Sequence, residues 1–282
     1  MAGGEAVNKN PYRAWEDPAP VKEDRSQALE TAVFAGSILL KSGAEVFRVE
    51  QTIRMIAQAF GAQDYETFIM STGLITTAGG PRQKYFAKVM HIPFGDTRLD
   101  KVEAVNQVSR QIVAGRYTMK EAWEKLEEID RMPRKRPWAC VLASGVGCGG
   151  SCLTFGGQWL DVAAAFLAGI VLYLYILGVE GKGLSKITRT IGGGAVATLI
   201  SLLFWRAGLG ERLHFIIGGA IMPLVPGVAF VTSIRDMAFG DYIAGSIRMI
   251  DTLLTLFCIA AGVGGVISLW RLLVGGVGLW VL

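Results

Sequence analysis

Hydrophobic and polar residues are unevenly distributed along this chain, and the texture changes near Pro137. After that point the chain is dominated by uncharged runs, which are Trp138–Leu160, Val162–Val179, Thr190–Trp205, Leu213–Ile234 and Thr252–Trp270. A helix needs about 20 predominantly apolar residues to cross a bilayer. The pattern therefore predicts a transmembrane domain over residues 138–282, with five spans at about 138–157, 161–179, 187–206, 213–234 and 247–271.

The polar part of the chain before the first span predicts an α+β domain over residues 26–131. Apolar residues recur at helical spacing in four stretches, the last of which opens with the capping box Thr118–Glu121. Between the second and third stretches, the run Tyr65–His91 is rich in β-branched and aromatic residues and is divided by glycines. This run predicts two or three short antiparallel strands. The fold class that follows is a membrane protein with a cytoplasmic α+β N-terminal domain followed by a five-helix all-α transmembrane domain.

Charge placement predicts how the chain is oriented in the membrane. Residues 1–25 are polar and contain no apolar core, which predicts a flexible segment rather than a secretory signal. The basic linker 132–137 precedes the first span, and Lys and Arg are also concentrated between spans two and three and between four and five. The positive-inside rule then predicts a multi-pass protein of the cytoplasmic (inner) membrane, with the N-terminus in the cytoplasm and the C-terminus outside. The uncharged tail 272–282 either extends the fifth span or lies at the interface.

Composition narrows the classes of function. Charged residues make up 18% of the chain, below the roughly 25% that is usual for soluble proteins. The net charge of +4 is modest, so no nucleic-acid partner is expected. The two histidines are far apart and no nucleophile–base set is visible, so we expect no enzyme activity, no cofactor and no metal site. The cysteines are interpreted as small membrane-packing residues, and they are Cys140, Cys148, Cys152 and Cys258.

The fourth predicted span is interrupted by the sequence Pro223–Gly227. Proline has no N–H and blocks the bond to the carbonyl four residues back, so Pro223 frees the carbonyl of Gly219, and Pro226 frees that of Met222. A freed carbonyl in hydrocarbon is costly unless protein or cavity water satisfies it, and transporters build substrate sites from broken helices. The motif is therefore either a packing kink or a transport site, whose candidate residues are Gly219, Met222, Pro223, Pro226 and Gly227.

Charged residues that follow this motif are the second set of candidates. Asp236, Asp241 and Asp251 alternate with Arg235 and Arg248. Ionisable groups in a membrane domain are a functional hypothesis by default, which gives Arg235 and the three aspartates a possible substrate or proton role. The segment from Arg235 to Asp241 also fits a solvated cytoplasmic loop. Arg248 and Asp251 are three positions apart and could pair on one helix face.

Three motifs in this order resemble the threonine/serine exporter family. The segment Ser42–Thr52 resembles the family's N-terminal signature, Pro223–Gly227 resembles its proline motif, and Ile234–Gly245 resembles the segment after it. The signature segment contains the densest polar cluster of the N-terminal part, Glu45, Arg48 and Glu50, which also fits a solvated or interdomain helix face.

The resemblance implies a secondary-active exporter of small carboxylate-bearing metabolites, thought to be proton-coupled. The substrates would be amino acids such as threonine and serine, or dicarboxylates such as succinate for half-length members. It further implies that this chain works in the lipid bilayer with a second small five-span (YjjB-like) membrane protein, or as a homo-oligomer.

A second class of function stays open at this point. The chain could be a membrane-anchored ligand-sensing or regulatory subunit without transport activity of its own. Five spans and a broken helix are more than an anchor requires, which favours the exporter subunit. A membrane enzyme is the third class, and no constellation of residues supports it.

Overall fold

The computed structural model describes residues 23–62, 65–78, 86–93, 95 and 97–274. Most of the described chain is helical. The elements are α1 (Glu23–Lys41), α2 (Val46–Ala59), β1 (Tyr65–Met70), β2 (Gly73–Ala78), β3 (Phe86–His91), α3 (Leu99–Val113), α4 (Met119–Asp130), α5 (Pro137–Thr154), α6 (Trp159–Val179), α7 (Lys186–Arg206), α8 (Leu213–Ala220), a 3₁₀ turn (Met222–Leu224), α9 (Gly227–Ala238) and α10 (Tyr242–Val274). The predicted flexible segment lies outside the described residues up to position 22, and so does the predicted tail after Val274.

The chain divides into two compact units. The first contains the described residues up to Met132 together with Val231–Arg248, and the second contains Pro133–Phe230 together with the described residues from Met249. The division falls within α9 and within α10, so each of these helices contributes residues to both units. Residues 231–248, which follow the proline motif, therefore pack with the N-terminal part of the chain.

The core of the first unit is built on α1 and α2. Helix α1 is buried around most of its circumference, with Ala28, Leu29, Ala32, Val33, Ala35, Ile38 and Leu39 all in the core. Helix α2 presents an apolar face at helical spacing, from Val49 through Ile53 to Ile56. The two helices meet closely at Gly36, where a Cβ would lie 2.5 Å from Cδ1 of Ile53. A larger residue at this position would separate the helices.

The described strands form a three-stranded antiparallel sheet in the order β1-β2-β3. Ser71 and Thr72 join β1 to β2, because Met70 pairs with Gly73. One face is buried, with Ile69 and Leu74 in the core. Phe68, Ile75 and Val89 are paired across the three strands on the other face, where Phe68 and Val89 are exposed. The β-branched and aromatic run between residues 65 and 91 thus forms strands as predicted, and its side chains alternate between the two faces.

Three described helices, α6, α7 and α10, are long and apolar enough to cross a membrane. A fourth span would be the bent pair Leu213–Leu224 with Gly227–Ala238, whose two parts meet at 64°. Helix α5 has 18 residues and is not among them, since its glycines and serines lower its hydropathy. By length and composition the described helices thus supply up to four spans, and the first of the five predicted spans stays a prediction.

Glycines bring the helices of the second unit into close contact. A Cβ at Gly194 on α7 would lie 2.9 Å from the carbonyl oxygen of Ile259 on α10. A Cβ at Gly262, one turn further along α10, would lie 2.9 Å from the backbone nitrogen of Ala195. Membrane helices associate through such close backbone approaches, because lipid provides no hydrophobic driving force between them.

We predict that Gly262→Ala lowers the thermal unfolding temperature of the purified protein in detergent. The added methyl group would meet the backbone of α7, so the two helices must separate. The matched control is Gly264→Ala on the same helix, where a Cβ meets nothing within 4 Å. Because alanine favours a helix over glycine by about 1 kcal/mol, the control should be as stable as the parent or more so. Equal melting temperatures for the two variants would contradict this close packing.

Candidate functional site

The break in the fourth predicted span lies at the two prolines. Helix α8 ends at Ala220, Pro223 lies in the 3₁₀ turn, and α9 begins at Gly227, directly after Pro226. Proline is favoured at a helix start, because no intrahelical partner is needed there for an N–H. The sequence prediction of a broken helix at this motif therefore matches the observed elements.

The sequence predicted that the carbonyls of Gly219 and Met222 lose their hydrogen-bond partners, but in the structure both accept a backbone N–H. The carbonyl of Met222 accepts the N–H of Val225 at 3.1 Å, because the 3₁₀ turn closes a shorter bond than an α-helix would. The N–H of Ile221 is shared between the carbonyls of Ile217 and Gly219. A carbonyl oxygen has two lone pairs, so the carbonyls of Gly219 and Met222 can each accept a second donor.

Helix α5 packs against the end of α8. A Cβ at Gly219 would lie 2.7 Å from the carbonyl oxygen of Cys148. The thiol of Cys148 lies 3.6 Å from the carbonyl oxygen of Ala220, the last residue of α8, and donates to it. The sequence predicted a packing role for this cysteine, and the structure adds a donor for a carbonyl that the break exposes.

The first turn of α9 presents its N–H end outward. Gly227 and Val228 are exposed, and a Cβ at Gly227 would meet nothing within 4 Å. The first backbone bond across this turn runs from the N–H of Phe230 to the carbonyl of Pro226 at 3.0 Å. The N–H of Gly227 donates to the carbonyl of Val225 at 2.9 Å, which precedes the helix. The next amides of a first turn, here those of Val228 and Ala229, have no carbonyl partner within the helix, and the helix dipole makes this end positive. The arrangement can bind an anion such as a carboxylate.

Asp236 is held at the opposite end of α9 in the first unit. Its side chain is 1% exposed, its Oδ1 accepts the N–H of Val46 at 3.0 Å, and its Oδ2 lies 3.2 Å from Nη1 of Arg248. Val46 is the first residue of α2, and the side chain of the preceding N-cap residue, Glu45, makes no capping hydrogen bond. Asp236 thus caps α2 from 190 positions away, with its negative charge at the positive end of that helix.

Other charges meet at the same loop, residues 42–46 between α1 and α2, which we call the 42–46 loop. Nη2 of Arg248 donates to the carbonyl of Ala44 at 3.3 Å. Nη1 of Arg235 donates to Oε1 of Glu45 at 2.5 Å, and Oε2 of Glu45 lies 3.4 Å from Nε of Arg48. The loop turns at Gly43, whose φ of 82° favours glycine. The structure therefore joins the signature segment to the segment after the proline motif.

One expectation about these charges is wrong, since Arg235 and Asp236 belong to the last turn of α9 rather than to a loop. Arg248 pairs with Asp236, whose buried carboxylate lies at the 42–46 loop. The carboxylate of Asp251 binds Nζ of Lys186 at 2.6 and 2.8 Å, which joins α10 to the start of α7 within the second unit.

Asp241 and Glu50 lie outside the ion-paired cluster at the 42–46 loop. Asp241 follows α9, and its N–H donates to the carbonyl of Asp236 at 2.9 Å. Partial burial raises the pKa of the Asp241 carboxyl, and the negative charge of Glu50 raises it further. Glu50 binds Arg54 at 2.6 Å. Glu50 and Arg54 line a groove of about 1110 Å³ beside α2 and β1, together with Tyr65 and other residues of the first two strands.

Sequence reasoning missed Asp161, a fully buried carboxylate in the second unit. Its Oδ2 accepts the N–H of Gln158 at 2.9 Å at the start of α6. Its Oδ1 accepts the N–H groups of Glu211 and Arg212 at 2.7 and 3.1 Å, in the loop before α8. The spacing Gln158–Asp161 at the start of an apolar run is the available signal, since it is that of a capping box. No local pattern indicates the bond from the N–H of Glu211, which lies 50 positions away in the sequence.

Titratable side chains of the described residues provide no set of three or more His, Cys, Asp and Glu that could hold a metal ion.

Comparisons with known proteins bear on the whole chain. A family model described as "Putative threonine/serine exporter" matches residues 30–270. A threonine/serine exporter of Corynebacterium glutamicum is 28% identical over 262 residues, which are 89% of this chain and 53% of that protein. Pheromone-regulated membrane protein 10 of Debaryomyces hansenii is 24% identical over 86% of this chain and 26% of its own length. The chain thus spans about half of the first relative and about a quarter of the second. No solved structure has significant similarity to it.

We predict that Asp161→Ala lowers the thermal unfolding temperature of the protein in detergent by several degrees or abolishes folding. The substitution leaves three backbone N–H groups without their acceptor, and each buried unsatisfied donor costs about 1–3 kcal/mol. Asp161→Asn keeps one acceptor oxygen and should lie between Asp161→Ala and the parent. Glu211→Gln, at an exposed position in the same loop, is the control and should melt like the parent. If Asp161→Ala also melts like the parent, the bonds to this carboxylate contribute nothing.

Proposed function

This chain belongs to the threonine/serine exporter family, and from that premise we propose that it is a subunit of a secondary-active exporter of small carboxylate-bearing metabolites. The proposed transport site is the break between α8 and α9. The substrates we propose are amino acids of the threonine and serine type, with succinate-type dicarboxylates as the alternative. Family membership and the apolar helices support this proposal.

The exposed first turn of α9 is the single observation that carries this proposal. Its N–H groups and dipole suit a carboxylate, which every candidate substrate has. The carbonyls of Gly219 and Met222 keep a lone pair each, which suits an ammonium group or a water molecule. Pro223 and Pro226 set this geometry, because each prevents a continuous helix. The carboxylate contact is common to amino acids and dicarboxylates, and the ammonium contact would distinguish them.

Proton coupling is part of the proposal. A coupled carrier needs a group that changes protonation during the cycle. Asp241 is one candidate, because burial and Glu50 raise the pKa of its carboxyl. Asp251 is the second candidate, because it is an acidic residue on a helix long and apolar enough to cross a membrane. Its bond to Lys186 brings the start of α7 beside the first turns of α10, as expected if both preceding segments face the same, cytoplasmic, side of the membrane.

The partner in the proposed transporter is a second small five-span protein or a second copy of this chain. The chain itself aligns with 53% of the Corynebacterium exporter. Co-purification of this chain with such a protein, together with efflux that requires both, would support the first arrangement over the second.

A second candidate function rests on the groove beside α2 and β1. The groove is lined by charged and hydroxyl side chains, including Glu50, Arg54 and Thr77, which suit a small zwitterionic ligand. In this alternative the chain is a ligand-sensing or regulatory subunit without transport activity of its own.

We predict that Pro226→Leu combined with Gly227→Leu reduces threonine or serine efflux from proteoliposomes at least about tenfold, because a continuous helix would hide the first-turn amides. Val231→Leu, at an exposed position on α9, is the control and should keep normal efflux. Both variants must first be shown to insert at the level of the parent. Undiminished efflux by the normally inserted double variant would contradict the proposed transport site.

The sensing alternative makes a different prediction. If the groove is the ligand site, Glu50→Gln with Arg54→Gln should abolish the binding of threonine. Isothermal titration calorimetry on the purified full chain measures this binding. Under the transport proposal Arg54→Gln alone, which leaves the charge of Glu50 near Asp241 in place, keeps its efflux. Lys125→Gln with Glu128→Gln removes another exposed ion pair and is the matched control for both measurements.

A further inference from the structure

We infer that Asp236 and Arg248 are positioning residues for α9, the helix that begins at the proposed transport site, because together they fix its last turns on the 42–46 loop. This inference rests on the proposed function for the identity of the site. It assigns a role to the signature segment Ser42–Thr52, which neither family membership nor the break explains.

The mechanical link is α9 itself. Asp236 is the tenth residue of this helix, which has no proline or glycine after Gly227. At 1.5 Å per residue, Asp236 lies about 14 Å along the axis from the first turn. A short helix without such breaks behaves as a rigid rod over this distance. Whatever holds Asp236 therefore acts on the helix that begins at the proposed site.

Asp236 and Arg248 allow α9 little freedom. Asp236 is 1% exposed and Arg248 is 8% exposed, so both charges depend on their partners in the protein. Removing one partner of a buried ion pair leaves the other charge uncompensated, which is strongly destabilising. Rotating α9 by one residue would turn Asp236 by about 100° and would break its bonds to Arg248 and to the N–H of Val46. Only one setting of α9 satisfies all three groups.

Apolar and backbone contacts hold the same segment independently. Phe239, directly after α9, stacks on Phe47 of α2 with a centroid distance of 5.1 Å. Ser71, in the turn between β1 and β2, donates to the carbonyl of Ala244 at 2.6 Å. A Cβ at Gly245 would lie 2.8 Å from the carbonyl oxygen of Ser233, so the start of α10 packs closely on α9. Elements on both sides of the 42–46 loop thus hold residues 233–248.

The contacts of Asp236 support positioning over direct substrate contact. Both carboxylate oxygens are engaged, one by the N–H of Val46 and the other by Arg248. Arg248 is itself bound to the carbonyl of Ala44. A substrate would have to displace these buried partners to reach the charge. Replacing Asp236 should therefore change the rate of transport more than the affinity for substrate.

The test compares Asp236→Ala, Asp236→Asn and the surface control Glu128→Gln with the parent full-length chain. Hydrogen exchange followed by mass spectrometry reports on α9 and on the first turn of α2, and efflux of threonine or serine from proteoliposomes gives Vmax and KM. Asp236→Ala should speed exchange in both segments at least about tenfold, because a buried pair and a helix cap are lost together. It should lower Vmax by about tenfold or more, with KM changed less than about threefold.

Asp236→Asn separates the two functions of the side chain. Its amide oxygen can still accept the N–H of Val46, so exchange in the first turn of α2 should stay near that of the parent. The charge for Arg248 is lost, so exchange in α9 should rise and Vmax should fall. Glu128→Gln, which removes an exposed ion pair with Lys125, should leave exchange in both segments and both kinetic constants unchanged.

Several outcomes would overturn the inference. Unchanged exchange in α9 for Asp236→Asn shows that this residue does not position the helix, whatever the transport result. A rise in KM at constant Vmax indicates direct contact with the substrate instead. If the parent chain exports nothing, the proposed function fails, and the exchange data still decide whether Asp236 holds α9. Should Asp236→Ala fail to fold, Asp236→Asn alone decides.

Discussion

Buried polar groups need partners inside the protein, and this requirement organises the described structure. In the first unit, the N–H of Val46 and the guanidinium of Arg248 share the carboxylate of Asp236. In the second unit, Asp161 accepts three backbone N–H groups, and the thiol of Cys148 donates to the last carbonyl of α8. Each of these groups would be costly if it were left alone in an apolar environment. The chain therefore uses a few short polar side chains to hold irregular backbone in place.

The broken helix and the 42–46 loop are two consequences of this requirement. The prolines prevent a continuous helix, and a 3₁₀ turn satisfies the backbone between α8 and α9. Helix α9 begins at the proposed site, and near its other end the carboxylate of Asp236 caps α2. In this view the signature segment acts on transport through the placement of α9 and does not contact the substrate.

Membership of the exporter family relates these features to transport. The share of each relative that this chain matches limits which properties of the relatives apply to it. The relatives share most of this chain, but the chain corresponds to about half of the exporter and about a quarter of the Debaryomyces protein. The features argued from geometry lie within residues 30–270, where the family model matches. The proposed transport site is thus part of the shared region, while a partner that completes it has to be established by experiment.

The local features of this protein follow from its sequence. Uncharged runs predicted the apolar helices, β-branched and aromatic residues predicted the strands, Thr118 and Glu121 predicted a capping box that the structure contains, and two prolines predicted the break. These features depend on neighbouring residues, so a local pattern contains them. The meeting of distant groups depends on the tertiary structure. The pairing of Arg248 with Asp236, the bond from Lys186 to Asp251 and the second set of partners of Asp161 join residues 12 to 65 positions apart. Spacing along one helix cannot predict such partners, because the burial that makes a charge seek its partner exists only after the chain has folded.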